Sequence, residues 1–229
     1  MSCLAVIPAR GGSKRIPRKN VRPFLGRPIL DYPISAALES GLFDEVMVST
    51  DDGEIASVAR ASGASVPFLR SERTANDFAT LSDVLVEVLQ EYRSRGRVFD
   101  QVCCLLATAA LVNPGDLSES HKAFEAGGFD SLVPVVRFGF PIYRALKLEG
   151  DRLEMIWPEN KNVRSQDLPP AYHDAGAFYW LDARRFEAER AILTPNTGGY
   201  ELPESRVQDI DTEEDWRIAE LKFGMRRSG

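Results

Sequence analysis

Through the first 136 residues, short apolar runs alternate with stretches whose apolar positions recur at helical spacing. That alternation is the pattern of parallel βαβ units, in which each crossover helix covers a face of the sheet it links. Strands are expected at residues 3–7, 45–49, 102–106 and 132–136. Helices are expected from Pro28 to Gly41, then over residues 53–62, 79–92 and 114–126. Pro28 suits a first helical position and Gly41 a stop. Leu81, Val84, Leu85, Val88, Leu89 and Tyr92 form a core stripe, not a cofactor box. The uninterrupted run at 102–106 predicts the most buried strand of a parallel sheet, whereas Pro67 keeps residues 66–70 to a short strand or extended piece.

From residue 137 to 172 the alternation breaks. Residues 143–148 and 152–157, flanking Glu149-Gly150-Asp151, read as a hairpin that is either a dimer arm or an extension of the sheet. A strand at 175–181 and a last helix at 212–223 close the chain. The expected architecture is one α/β domain over residues 1–229: three layers, a Rossmann-like, mostly parallel sheet and a projecting β-hairpin, with 137–172 as an insertion.

Charge and composition narrow the function. A net charge of -6 argues against a nucleic-acid binder, whose domains are usually basic. No apolar run reaches the length of a membrane span, and the N-terminus lacks the pattern of a secretory leader, so a cytoplasmic protein is expected. Cys3, Cys103 and Cys104 read as buried small hydrophobes without a C-x-x-C pair. With only two histidines, a His/Cys zinc site is improbable and any metal should be held by oxygen.

Against that acidic background, residues 7–20 read I-P-A-R-G-G-S-K-R-I-P-R-K-N and carry Arg10, Lys14, Arg15, Arg18 and Lys19 on one loop. The loop follows the first strand, and its prolines and paired glycines prevent it from continuing as strand or helix. Backbone N–H groups and cations at the carboxyl edge of a sheet suit a polyanion such as a nucleoside triphosphate. Neither the P-loop nor the dinucleotide fingerprint is present. Asp209 and Asp211 lie two apart, so in an extended segment both point to one face and can share Mg²⁺; alternatively, Asp211 caps the last helix with Glu214. Asp51 and Asp52 open a helix, where a cap is the commoner use than a metal ligand.

The run I-P-A-R-G-G-S-K-R-I-P-R-K-N resembles the signature of the acylneuraminate (sialic acid) cytidylyltransferases, which load nine-carbon keto-sugar acids onto CMP. S-T-D-D-G-E-I-A, R-S-Q-D-L-P-P-A-Y-H-D-A-G-A-F-Y-W and V-Q-D-I-D-T-E-E-D-W look most like the pseudaminic acid branch, which serves flagellin or surface glycan modification. The resemblance implies a nucleotide-diphospho-sugar transferase fold, CTP and a nonulosonic acid as partners, a homodimer, and Mg²⁺ on Asp209 and Asp211. It implies that Ala9, Arg10, Gly11, Gly12, Lys14, Lys19, Asn20, Arg70, Thr80 and Thr108 bind the nucleotide. Arg164, Gln166 and Tyr172 fall where the sugar acid binds. Arg10, Lys19 and Asp211 would act on the reacting phosphates, with no His or Glu evident as general base.

One stretch departs from the family pattern. Members usually read Pro-Thr-(Ala/Ser)-Pro after the central strand, and this chain has Ala107-Thr108-Ala109-Ala110-Leu111. Loss of both prolines predicts a looser loop beside the nucleotide. A non-catalytic CTP- or sugar-binding relative is the rival reading; a glycosyltransferase of similar fold would need a central Asp-x-Asp, which is missing.

Overall fold

The first five side chains of β1 (Cys3–Pro8) are all buried, as a strand covered on both faces requires. The structure, a computed structural model describing residues 1–226, continues through a small ribbon of β2 (Pro23–Phe24) and β3 (Arg27–Pro28), then α1 (Asp31–Ser40), β4 (Glu45–Ser49) and α2 (Gly53–Ala61). The one-turn helix α3 (Glu72–Ala75) precedes α4 (Leu81–Ser94), β5 (Gln101–Leu105), α5 (Pro114–Gly127) and β6 (Ser131–Arg137). The hairpin β7 (Leu146–Glu149) and β8 (Arg152–Met155) follows, then β9 (Tyr172–Asp174), β10 (Phe178–Asp182), α6 (Ala183–Glu189), β11 (Thr197–Glu201) and α7 (Glu213–Arg226).

The main sheet has the order β11-β6-β10-β5-β1-β4, with β9 paired to the far end of β6. β4, β1, β5, β6 and β11 run one way; β9 and β10 run the other. Fully buried β5 has β1 as a parallel neighbour and β10 as an antiparallel one, within a sheet that is mostly parallel, as expected. Three layers result: Ala5, Ile7, Cys103 and Leu105 face α1, α2 and α5, while Leu4, Val6, Val102 and Cys104 face α4 and α6. All three thiols are buried, and burial pushes Cys3 and Cys104 up to about 12.

α1 starts at Asp31, not at Pro28, because Arg27 and Pro28 are used by the ribbon and the buried Tyr32 hydroxyl donates to the Phe24 carbonyl at 2.6 Å. Ile16, Phe24, Ile29 and Tyr32 join Ile210 and Trp216 in a separate apolar cluster, with the Phe24 and Trp216 rings edge to face at 5.6 Å. Burying a side chain of this size is worth about 1.5–3 kcal/mol. This cluster fastens the N-terminal loop to α7. Residues 66–70 form no strand; they are tied in by the bridge from Met47 to Ser65 and by Arg70 N–H donating to Thr50 O at 2.8 Å.

The hairpin is a sheet of its own. Its register places Leu146 opposite Met155 and Leu148 opposite Leu153, alternating with Lys147 opposite Glu154 and Glu149 opposite Arg152. One face is therefore apolar and the other charged.

Candidate functional site

β1, β4 and β5 are parallel, so the segments after them emerge at one edge of the sheet. Beyond Pro8, Ala9 is buried and its N–H donates to Ser49 O at 2.9 Å, while Gly11 N–H donates to the Asp51 carboxylate at 3.0 Å. Asp51 is thus a loop anchor. Both amides are spent inside the protein, so this loop offers cations more than the amide cradle its glycines suggested. A Cβ on Gly11 would lie 2.7 Å from Asp52 Oδ2; glycine is needed there for close approach. Gly12 has open space around it.

Asp52 is the N-cap of α2, accepting from Glu54 N–H and Ile55 N–H at 2.9 and 3.0 Å. Arg18, at φ 54°, donates to Asp52 at 2.6 Å and also pairs with Glu54. The hydrogen bond from Arg18 is the main reason the Asp52 carboxyl falls to about 2. Arg18 therefore locks the loop to α2.

The other four cations point toward the open edge. Arg10 reaches Asp77 Oδ1 at 2.8 Å and Asn76 O at 3.2 Å, and Lys14 takes Asp77 Oδ2. Arg15 meets Asp211 Oδ1 at 2.6 Å, and Lys19 donates to Ile210 O at 2.6 Å with Asp211 at 3.7 Å. Asn20, buried, donates to Arg10 O at 3.0 Å.

Arg10, Asn20, Arg70, Thr74 and Thr80 line one cavity of about 290 Å³. Arg70 is 8% exposed, makes no ion pair among the described residues, and donates to Ser49 Oγ and Ser49 O at 3.1 and 2.6 Å. Burial lowers its pKa, and a desolvated guanidinium beside an open cavity favours an anionic or carbonyl-rich guest. Thr80 caps α4 in a reciprocal box with Asp83, so its side chain is spent on the helix end while the turn it fixes lines the cavity.

Asp209 and Asp211 line a second cavity of about 430 Å³ with His173, Asp174 and Lys222. The helix cap expected of Asp211 belongs to its neighbour: Asp215 N–H donates to Thr212 Oγ1 at 3.2 Å, and Thr212 N–H and Oγ1 donate to Asp215 Oδ2 at 2.8 and 2.7 Å. Glu214 takes no part in that cap, and the carboxylate of Asp211 is left to face Arg15 and Lys19. Asp209 packs its Cβ 3.4 Å from where a Cβ on Gly176 would stand, at φ +59°. Partial burial and the charge of Asp211 raise the Asp209 pKa, as expected for a carboxylate pair short of cation charge. Among the described residues no group of three or more His, Cys, Asp or Glu side chains is placed to hold a metal. A pair suits Mg²⁺, which takes one or two carboxylates and fills its shell with substrate phosphates and water.

Thr108 is half-buried in the turn after β5, between buried Ala107 and Ala109. Ala109, Ala110, Leu111 and Val112 are also buried, and Ala109 N–H and Ala110 N–H donate to Leu106 O and Thr108 O at 3.0 and 2.8 Å. Buried side chains and turn hydrogen bonds position this loop in the place of the two prolines. Arg164 and Gln166 are exposed around a 3-10 turn, Arg164 pairing with Asp167 at 2.7 Å, and Tyr172 is exposed at the start of β9. These three line neither cavity. Ser49, Asp77, His173 and Asp174 were not singled out from sequence, although Asp77 lies in the polar stretch 74–80 and His173-Asp174 in a family-like motif.

The comparisons agree with one another. The family profile described as Cytidylyltransferase matches residues 4–177. A pseudaminic acid cytidylyltransferase of Campylobacter jejuni serotype O:2 is 42% identical over 224 residues, 97% of each chain. A CMP-N,N'-diacetyllegionaminic acid synthase of Legionella pneumophila is 34% identical, covering 96% of this chain and 95% of that one. In fold, the chain is similar to a CMP:2-keto-3-deoxy-manno-octonic acid synthetase complexed with CTP, at a TM-score of 0.71 and 18% identity over the whole of both chains.

Proposed function

The chain belongs to the cytidylyltransferase family, and from that premise we propose that it transfers CMP from CTP to the anomeric hydroxyl of a nine-carbon 2-keto sugar acid. Pseudaminic acid is the first choice, since 42% identity to the Campylobacter enzyme exceeds 34% to the legionaminic one. N-Acetylneuraminate and legionaminate are the alternatives. The observation that carries the chemistry is the meeting of the basic loop with the acidic pair: Lys19 on Ile210 O at 2.6 Å and Arg15 on Asp211 at 2.6 Å.

In this reading the sugar hydroxyl attacks the α-phosphorus in line, the bond to the β-phosphate oxygen breaks, pyrophosphate leaves, and the hydroxyl proton is released to solvent. The protein contributes position and charge. Arg10, Lys14 and Lys19 hold the β- and γ-phosphates and offset charge on the leaving group. Asn20, Arg70 and the turn at Thr80 flank the nucleoside, and Arg164, Gln166 and Tyr172 are assigned to the sugar acid on motif alone. Asp209 and Asp211 are the residues that would hold Mg²⁺, which supplies polarisation of the α-phosphoryl group.

We further propose a homodimer and a cytoplasmic reaction feeding surface or flagellin glycans. The dimer is supported by the hairpin, whose exposed Leu146, Leu148 and Leu153 lie on one face; a lone two-stranded ribbon is marginal in water. Among the described residues no helix is long and apolar enough to cross a membrane.

The test is pyrophosphate release from CTP and Mg²⁺ with pseudaminic, legionaminic and N-acetylneuraminic acids in parallel. Release with pseudaminic acid is expected to be fastest. Binding of CTP with no release from any of the three would favour a non-catalytic relative.

A further inference from the structure

Two of the cations assigned to the triphosphate are already occupied by a carboxylate of the protein itself. Asp77 gives one oxygen to Arg10, at 2.8 Å, and the other to Lys14. The pairing draws together loop residues 63 to 67 positions apart in sequence, and the hydrogen bond from Lys14 is the main reason the Asp77 pKa is lowered.

Asp77 is held out over the loop by local structure. Asn76 Oδ1 accepts from Phe78 N–H and Ala79 N–H at 2.8 and 3.1 Å, and Asn76 Nδ2 donates to Arg73 O at 2.7 Å. The α4 capping box at Thr80 and Asp83 anchors the far side. The same turn lines the nucleotide cavity through Thr74, Asn76 and Asp77. A carboxylate aimed by a tight turn at two phosphate-binding cations imitates the anion they are there to receive.

We propose that Asp77 is an internal counter-anion that stands in for the departing phosphates, which CTP and pyrophosphate must displace from Arg10 and Lys14 and CMP need not. The proposal rests on the reading of the basic loop as the triphosphate site. The side chains of Arg10, Lys14 and Asp77 are 37%, 76% and 42% exposed, and exposed pairs are weak and exchangeable. A triphosphate or pyrophosphate, with several charges, outcompetes one carboxylate. CMP has only the phosphate that becomes the product's own, leaves Asp77 in place, and gains nothing from these cations. When pyrophosphate leaves, Asp77 returns to Arg10 and Lys14 and opposes rebinding.

The test is titration calorimetry of the full-length protein with CTP, pyrophosphate and CMP, each with Mg²⁺, on the wild type, Asp77→Asn and Asp77→Ser. Thermal melts verify that both variants fold. Removing the charge should tighten CTP and pyrophosphate on the order of fivefold, the upper range for exposed ion pairs, and leave CMP unchanged. Unchanged or weaker CTP binding in the folded variants, or equal tightening of CMP, overturns the proposal alone. A wild-type protein that binds neither CTP nor pyrophosphate overturns the loop reading and the proposal together.

Discussion

Asp211 is available to ligands because Thr212 and Asp215 satisfy the N-terminus of α7 between them. The cap and the acidic pair are thus separable by mutation. Asp211→Ala is expected to abolish pyrophosphate release while leaving the thermal midpoint near that of the wild type. Thr212→Ala should cost about 1 kcal/mol in urea unfolding and retain turnover. The reverse pattern would return Asp211 to a capping role. Asp52 supplies a pH-dependent counterpart at the other end of the loop. Its folded pKa of about 2 lies below the ordinary 3.8, so its contribution is present above about 3.8 and is lost as pH falls through about 2. Asp52→Ala should therefore be less stable than the wild type at neutral pH by about 1–2 kcal/mol, with the gap closing as the solution is acidified. A gap independent of pH would remove the Arg18 to Asp52 pairing as its source.

At the scale of elements, β1, β4, α2, α4 and α5 were legible because apolar period and end signals agree: Asp52 opens α2, and Asn113 with Pro114 opens α5. β11 was not. Its sequence T-G-G-Y-E carries no apolar run to mark a strand, and Gly198 leaves the space that the Phe129 ring fills, where a Cβ would meet the ring at 2.4 Å. The direction of β10 was also hidden, since an apolar run records burial and not orientation. Within the site, residue types were readable but partners were not. Nothing periodic links Arg10 to Asp77 or Lys19 to Ile210, which are brought together by tertiary packing alone. The hairpin was readable from alternation, and its apolar face makes a prediction of its own. Leu148→Glu with Leu153→Glu should halve the mass measured by light scattering without changing the circular dichroism of the main sheet. An unaltered mass would remove the hairpin as the contact of the proposed dimer.

Over the whole molecule, the cavity proposed for the nucleotide is built by residues 8–84 and the acidic pair by residues 209–211. Lys19, Arg15 and the apolar cluster of Ile16, Phe24, Ile210 and Trp216 join them. CTP with Mg²⁺ should therefore slow hydrogen exchange in residues 207–211 as well as around residues 9–20. Protection confined to the first 84 residues would mean that the two halves of the site bind independently. β11 lies parallel to β6 at the border of the sheet, and it carries the chain back to the edge where the basic loop has been waiting since β1. Domains generally fold as units, and the loop packs Ile16 and Phe24 on Ile210 and Trp216 from the far end of the chain. The basic loop near the start of the chain therefore reaches its final setting only once the last helix has been synthesised.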